Sequence, residues 1–170
     1  LKFNTDIIQA PLAGISCAPF RVLAHELGRP AYCVSEMVSA FELTQSYRRN
    51  NPDFKRYTFK DPKEGPLCMQ LSGKDPKVLS QASKIAVDLG VDIIDLNCGC
   101  PKKKIRKKGC GSKLIEDLDN LALCVHAIRS SVPKNIPVTI KIRKLNNNLG
   151  LNNLGLNNLD ANIKIAKTIE

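Results

Sequence analysis

Short apolar runs alternate with longer segments of helical periodicity along most of the chain. The runs that predict strands are residues 7–13, 31–37, 66–71, 91–97 and 136–142. The spacing of apolar side chains predicts helices over residues 19–28, 39–46, 75–89 and 113–129, and residues 160–170 begin another. Residues 47–65 are polar and predict a loop or a small hairpin. Strands and helices that alternate in this way predict a parallel sheet covered by helices.

Two architectures contain such a sheet, an open doubly wound sheet and a closed (β/α)8 barrel. The predicted strands are apolar at successive positions, as expected when parallel strands are buried on both faces. The chain lacks the G-x-G-x-x-G motif after its first strand and also lacks the phosphate-binding G-x-x-x-x-G-K motif. The common nucleotide-binding open sheets therefore lose support, and the α/β class with a TIM barrel is favoured.

One tract breaks the alternation. Between residues 145 and 159 the unit Leu-Gly-Leu-Asn-Asn recurs with a period that matches neither a helix nor a strand. We interpret it as a low-complexity insertion. The expected organisation is then a portion of a barrel over residues 1–144, the insertion over 145–159, and the start of a further barrel helix over 160–170.

Charge adds an expectation about partners. The chain has 26 Lys and Arg residues against 16 Asp and Glu, a net charge of +10. Such an excess favours polyanionic partners, with nucleic acid ahead of an anionic membrane surface, although a biased source composition explains it equally well. Because no run approaches the roughly 18 apolar residues of a membrane span, we expect no membrane insertion.

The cysteines indicate a reducing compartment. There are seven, an odd number, and most lie among apolar residues, which argues against a disulfide framework. We therefore expect a cytoplasmic location, with the nucleus as the alternative. Cys98, Cys100 and Cys110 lack the paired spacing of a zinc site, so no metal is expected.

Reactive side chains gather where the predicted strands end. Gln70 ends the third strand, and Asn97 to Cys100 follow the fourth. Lys141 and Arg143 leave the fifth strand at positions i and i+2, on one face. The carboxyl ends of parallel strands carry the functional site in both candidate architectures, so these residues predict a site at one end of the sheet.

Several segments, in this order, resemble the tRNA-dihydrouridine synthases, FMN-dependent enzymes that reduce uridine in tRNA. The matching segments are APLAGIS at 10–16, SEM at 35–37, QLSG at 70–73, DLNCGCPKKKIRKKGCGSKLI at 95–115 and PVTIKIR at 137–143. The Asn-x-Gly-Cys-Pro element, here the cysteine-containing sequence at 97–101, is the most specific of them. The resemblance covers residues 7–143 almost continuously.

The resemblance implies a TIM barrel followed by a helical RNA-binding domain, with FMN as cofactor, NADPH as reductant and tRNA as partner. Cys100 would be the catalytic acid. The residues implied to contact FMN are Pro11, Leu12, Ala13, Gln70 and Lys141. Those implied to bind the uracil or the RNA are Asn97, Arg143 and Lys103.

These roles agree with the chemistry of the reaction. Hydride delivered to C6 of uracil leaves negative charge at C5 and the carbonyl oxygen, so a proton donor is needed near C5. A thiol with a reference pKa near ~8.5 is mostly protonated at neutral pH and can supply that proton. Cations at 102–108 would favour the thiolate instead. We therefore expect most of them to point toward solvent or RNA phosphate.

Five predicted strands are fewer than a barrel requires. We expect the later strands and the RNA-binding domain to lie outside these 170 residues, and the isolated chain to be inactive. Two alternatives remain open: another FMN-dependent barrel oxidoreductase that acts on free pyrimidines or enoates, and a truncated, inactive RNA-binding protein. The sequence predicts neither the tRNA position modified nor the oligomeric state.

Overall fold

The computed structural model of the chain describes residues 5–52, 55–143 and 158–169. The strands are β1 Cys33–Val34, β2 Val38–Ser39, β3 Leu67–Ser72, β4 Ile93–Cys98 and β5 Val138–Ile142. The α-helices are α1 Ala18–Gly28, α2 Ala40–Arg48, α3 Lys55–Thr58, α4 Pro76–Asp88, α5 Lys103–Lys107, α6 Leu118–Ser131 and α7 Asn158–Ile169. A 3-10 helix, Gly111–Glu116, precedes α6.

The strands form one parallel sheet in chain order. Its order is β1-β3-β4-β5, and β2 pairs with the C-terminal end of β3, on the same side as β1. A doubly wound sheet reverses its strand order at a switch point, whereas the described strands add successively in one direction. This order, with helices over one face, fits a fragment of an α/β TIM barrel.

The two faces of the sheet differ in what covers them. One face of β3 and β4 packs against α2, α4 and α6 in a large apolar core that contains Met69, Leu71, Ile94 and Leu96, all fully buried. On the opposite face, Val34, Cys68 and Ile93 form a small apolar cluster, followed toward the carboxyl ends by polar side chains. Side chains alternate between the faces of a strand, so the sequence assigns every second residue to this inner face.

Helix boundaries follow from capping residues. The Asp75 carboxylate accepts hydrogen bonds from the backbone N–H groups of Lys77 and Val78, and Pro76 occupies the first turn. Ser39 caps α2 and Asp117 caps α6 in the same way. Such caps supply partners for N–H groups that have none within the helix, which is why α2 and α4 begin close to where their sequence signals predict.

The first predicted strand, residues 7–13, is wrong as a regular strand. Only Gln9 pairs in parallel, with Cys33. Two residues later Pro11 has no N–H to donate, and the N–H of Leu12 bonds to the Ser16 hydroxyl (2.8 Å) instead of to a strand. Of the second predicted strand, residues 31–37, only β1 is a regular strand, and the unpredicted β2 follows it directly.

Other boundaries also differ from the predictions. Part of the predicted loop or hairpin at 47–65 is helical, in the end of α2 and in α3. The predicted helix at 113–129 divides into the 3-10 helix and α6 at Asp117. Helix α7 begins two residues before the predicted boundary at 160, and residues 145–157 of the predicted insertion lie outside the described residues. Within the described ranges, no helix has the length and apolar character needed to cross a membrane.

A buried ion pair fastens α1 to the chain before β3. The Arg21 guanidinium, 2% exposed, bonds both carboxylate oxygens of Glu64 at 2.5 and 2.9 Å. It also donates to the carbonyls of Ser16 (2.7 Å) and Phe59 (2.7 Å). Every contact is charge-assisted, and all but the one to Phe59 are buried, so both charges are satisfied only while these segments stay together.

Glu64→Gln tests this pair in the intact protein. The substitution leaves the buried Arg21 charge without a counter-ion, so we expect the free energy of unfolding to fall by about 3 kcal/mol. Glu42→Gln is the matched control, because Glu42 makes only an exposed pair with Lys108 (3.9 Å), and we expect it to change the free energy by at most about 1 kcal/mol. Urea unfolding measures both. An equal decrease in the free energy of unfolding in the two variants would contradict the structural role of the Arg21–Glu64 pair.

Candidate functional site

A cavity opens at the carboxyl ends of β3, β4 and β5. It has a volume of about 230 Å³. Most residues singled out from the sequence line it together: Pro11, Ala13, Gln70, Asn97, Cys100, Lys141 and Arg143. The parallel register explains the grouping, because Asn97 lies opposite Lys141 and their side chains share a face of adjacent strands.

Two predicted residues are not among those that line the cavity. Leu12 is 43% exposed, although its neighbours on both sides line the wall. Lys103 is exposed at the start of α5, and Lys102 lines the cavity instead. Met37 also contributes to the wall without having been assigned a role. Its signal in the sequence was its place at the end of the predicted strand 31–37.

Four polar side chains are joined across β3, β4 and β5. The Thr139 hydroxyl donates to Oδ1 of Asp95 (2.8 Å), and Nε2 of Gln70 donates to Oδ2 of the same carboxylate (2.7 Å). Nδ2 of Asn97 then donates to Oε1 of Gln70 (2.8 Å). Gln70, Asp95 and Asn97 are all buried, so each bond replaces water that these groups have lost. We name these four residues the amide relay.

The Asn97 side chain also shapes the turn that follows β4. Its Oδ1 accepts hydrogen bonds from the backbone N–H groups of Gly99 (3.3 Å) and Cys100 (3.0 Å). Nε of Arg143 donates to the carbonyl of Gly99 (3.2 Å). An asparagine that bonds backbone groups two and three residues ahead holds a tight turn, so Asn97 fixes where the backbone of Cys100 lies.

The 3-10 helix supports Cys100 from behind. The N–H of Ser112 donates to the Cys100 carbonyl (2.9 Å). Gly111 has a φ of +63°, and a Cβ added there would lie 2.6 Å from that carbonyl oxygen. Only glycine fits both the backbone conformation and the space. The Gly-Cys-Gly segment at 109–111 therefore supports the backbone of Cys100.

The cysteines differ in their surroundings. Cys98 faces the helix-covered core and is fully buried, and its burial raises the thiol pKa far above the usual range. Burial raises the pKa of Cys124 to about 12. Cys100 is half-buried at the cavity wall. The Cys100 thiol is thus accessible from the cavity and lies beside the amide relay. No group of His, Cys, Asp or Glu able to hold a metal ion occurs among the described residues.

The cations after Cys100 largely point outward, as predicted. Lys103, Lys104, Lys107 and Lys108 are exposed. Arg106 is the exception, since it donates to the Ser112 hydroxyl (3.0 Å) and to the Glu116 carboxylate (2.8 Å). Its charge is therefore neutralised locally, and the remaining cations form an exposed basic surface beside the cavity, which we name the α5 surface.

Comparison with known proteins decides the family. A family model described as dihydrouridine synthase (Dus) matches residues 8–148, most of the chain. The chain belongs to the dihydrouridine synthase family. The match includes the cavity residues named above.

Individual relatives agree with this membership in the dihydrouridine synthase family. The chain is 38% identical over 140 residues to tRNA-dihydrouridine synthase B of Pseudomonas putida, which covers 82% of this chain and 40% of the relative. It is 36% identical over 142 residues to the protein of that name from Escherichia coli K12, covering 84% and 42%. The corresponding protein of Pectobacterium carotovorum is 40% identical over 144 residues, covering 84% and 42%. The chain therefore spans about two fifths of the length of these relatives.

Gly111→Ala tests the support of Cys100. We expect it to lower the free energy of unfolding by about 1–3 kcal/mol more than Gly90→Ala, because the new methyl group overlaps the Cys100 carbonyl. Gly90 also has positive φ, +81°, but open space around it, so it controls for backbone strain alone. We also expect Gly111→Ala alone to change the alkylation rate of Cys100, followed by peptide mass spectrometry. Identical behaviour of the two variants would contradict the proposed contact.

Proposed function

We propose that the protein carrying this chain is a tRNA-dihydrouridine synthase that reduces the C5–C6 double bond of uridine in tRNA. The observation that carries the proposal is the convergence of a half-buried thiol, two carboxamides and two cations on one cavity at the carboxyl ends of the strands. The family membership and the printed names of the relatives support the choice of reaction.

The cavity residues fit FMN. The isoalloxazine ring is flat, apolar on its faces and rich in acceptors along one edge. Pro11, Ala13 and Met37 offer apolar wall, whereas the Gln70 amide and the Lys141 ammonium offer donors. Gln70 and Lys141 would hold the edge with N1 and O2, where the cation stabilises negative charge. When bound and reduced by NADPH, FMN supplies the hydride.

Cys100 supplies the proton. Its thiol lies at the cavity wall, and its backbone is held from both sides by Asn97 and Ser112. A donor must stand within hydrogen-bond reach of the carbon it protonates, so a fixed turn is of more use than a mobile side chain. Four lysines that follow, Lys103, Lys104, Lys107 and Lys108, are exposed, whereas Lys102 lines the cavity together with Cys100.

Asn97 and Arg143 orient the uracil. Both line the cavity next to Cys100, and both offer N–H donors to the carbonyl oxygens of a pyrimidine. Nε of Arg143 donates to the Gly99 carbonyl, and no hydrogen bond of its terminal nitrogens is seen within residues 5–52, 55–143 and 158–169, so we assign those nitrogens to the ligand. Developing negative charge on a carbonyl oxygen is stabilised by such donors, so the same contacts that bind the base also lower the barrier.

The α5 surface binds RNA phosphate. Lys103 and its exposed neighbours lie beside the cavity mouth, where the backbone of an extruded nucleotide would pass. Removing a base from a folded RNA costs a few kcal/mol, which contacts between lysine and phosphate can offset. This places Lys103 in RNA binding although it is absent from the cavity wall.

We further propose the following organisation. Residues 1–144 are the N-terminal part of the catalytic barrel with five βα units, 145–159 are an insertion, and 160–170 continue the barrel. The remaining strands and a helical tRNA-binding domain belong to sequence outside these 170 residues, in keeping with the two-fifths coverage of the relatives. The free cysteines support a reducing, cytoplasmic location.

Two measurements on the intact protein test the function. We expect the purified protein to carry flavin absorbance, and a strain lacking the gene to lose dihydrouridine from its tRNA. Absence of flavin would contradict the FMN-dependent reaction. Flavin with unchanged tRNA would favour an oxidoreductase of free pyrimidines instead.

Cys100→Ala separates proton transfer from flavin reduction. Because the variant lacks only the acid, we expect dihydrouridine formation to fall by about 10²–10⁴-fold while NADPH still reduces the flavin at the wild-type rate. Cys17→Ala is the control, since Cys17 is exposed and does not line the cavity, and it should leave both rates unchanged. Dihydrouridine formation at the wild-type rate by Cys100→Ala would remove the thiol from the reaction.

A further inference from the structure

We propose that Asp95 is a positioning residue that determines which atoms of the Gln70 and Asn97 carboxamides face a ligand. Asp95 does not line the cavity that holds Cys100 but lines a second cavity that shares Gln70 and Lys141 with it, and no step of the reaction described above uses Asp95. Its role would be to fix the direction of the amide relay. The proposal rests on the proposed function, because Gln70 and Asn97 are there assigned to FMN and uracil.

Strand register places Asp95 at the centre of the relay. It lies opposite Gln70 of β3 and opposite Thr139 of β5, so one carboxylate reaches side chains on both neighbouring strands. Asp95 is 6% exposed and Gln70 is 1% exposed. A carboxylate this deeply buried is costly unless its oxygens accept hydrogen bonds, and here each oxygen accepts one.

The carboxylate gives the relay its direction. A side-chain amide donates from nitrogen and accepts at oxygen, so it can be inserted into a hydrogen-bond chain in two orientations. An ionised carboxylate only accepts, and therefore the nitrogen of Gln70 must face Asp95. The oxygen of Gln70 is then left to accept from the nitrogen of Asn97.

The far end of the relay demands the same direction. The Asn97 oxygen accepts from the N–H groups of Gly99 and Cys100, so its nitrogen must face Gln70. The two ends of the relay therefore require the same orientation of both amides. Each amide nitrogen keeps one further N–H that the relay does not use. Gln70 and Asn97 both line the cavity, so these N–H groups are donors for a ligand. Loss of the carboxylate would remove the constraint at the Gln70 end.

Asp95→Asn in the intact enzyme tests the proposal. The substitution keeps the shape of the side chain but adds an N–H donor, so the Gln70 oxygen can turn toward residue 95. The Gln70 nitrogen would then face the Asn97 nitrogen, and two donors would meet where the hydrogen bond between these residues is now. We expect the dissociation constant of FMN and the KM for tRNA each to rise by about 10-fold or more. Thr139→Val is the control: it removes a donor but leaves the carboxylate that sets the direction of the relay, so we expect the dissociation constant of FMN and the KM for tRNA to stay within about 3-fold of wild type.

The double variant Gln70→Glu with Asp95→Asn distinguishes positioning from packing. Asn at 95 can donate to the new carboxylate at 70, which still accepts from Asn97, so the direction of the relay at Asn97 is restored. We expect the KM for tRNA at saturating FMN to return to within about 3-fold of wild type. FMN affinity should stay weak, because residue 70 has lost its N–H groups.

The outcomes separate this proposal from the proposed function. Wild-type enzyme without flavin or without dihydrouridine formation contradicts the function itself. With an active wild type, unchanged FMN affinity and KM in Asp95→Asn contradict the positioning role. So does a double variant whose KM for tRNA remains as high as that of Asp95→Asn. If Asp95→Asn alone does not fold, a double variant whose KM for tRNA at saturating FMN lies more than about 3-fold above that of wild type would overturn the proposal.

Discussion

The hydrogen bonds of the Asn97 carboxamide are the constraint on which the site depends. Its oxygen closes the turn that carries Cys100, and its nitrogen joins that turn to β3 through Gln70. One side chain thereby ties the half-buried thiol to the sheet. Since the amide is buried, breaking either contact leaves a polar group without water or partner, which makes the turn rigid.

The rigidity rests on the different character of the two sheet faces. Large apolar side chains of β3 and β4 pack under α2, α4 and α6, which anchors the strands. On the inner face the same strands carry the relay, in which polar groups satisfy one another. An unpaired buried carboxylate would cost several kcal/mol, so the relay is compatible with a stable fold only because it is complete.

The sequence allowed β3, β4 and β5, most helices and the grouping of the site to be predicted. Local signals were sufficient there: apolar runs gave β3 and β4, and Asp75 followed by Pro76 marked the start of α4. The failure of the predicted strand at 7–13 could not be foreseen in this way, because it depends on the hydrogen bond from the Leu12 N–H to the Ser16 hydroxyl. The ion pair of Arg21 and Glu64 joins residues far apart in the chain, which periodicity does not detect.

The site shows the same division between local and tertiary information. Cys100 and Lys141 stood out by motif and strand position, whereas Asp95 reads as an ordinary acidic residue within an apolar strand. Only the register that places it between Gln70 and Thr139 reveals what it contacts. Lys103 and Leu12 illustrate the converse, since motif position placed them at the site and the structure places neighbouring residues on its wall.

The experimental structure of the intact protein crystallised with FMN would test the central claim most directly. The account predicts the flavin edge against Gln70 and Lys141, the Asn97 oxygen on the N–H of Cys100, and the sulfur of Cys100 open to a ring lying on the flavin. A flavin bound elsewhere, or a Cys100 sulfur walled off from that space, would contradict it.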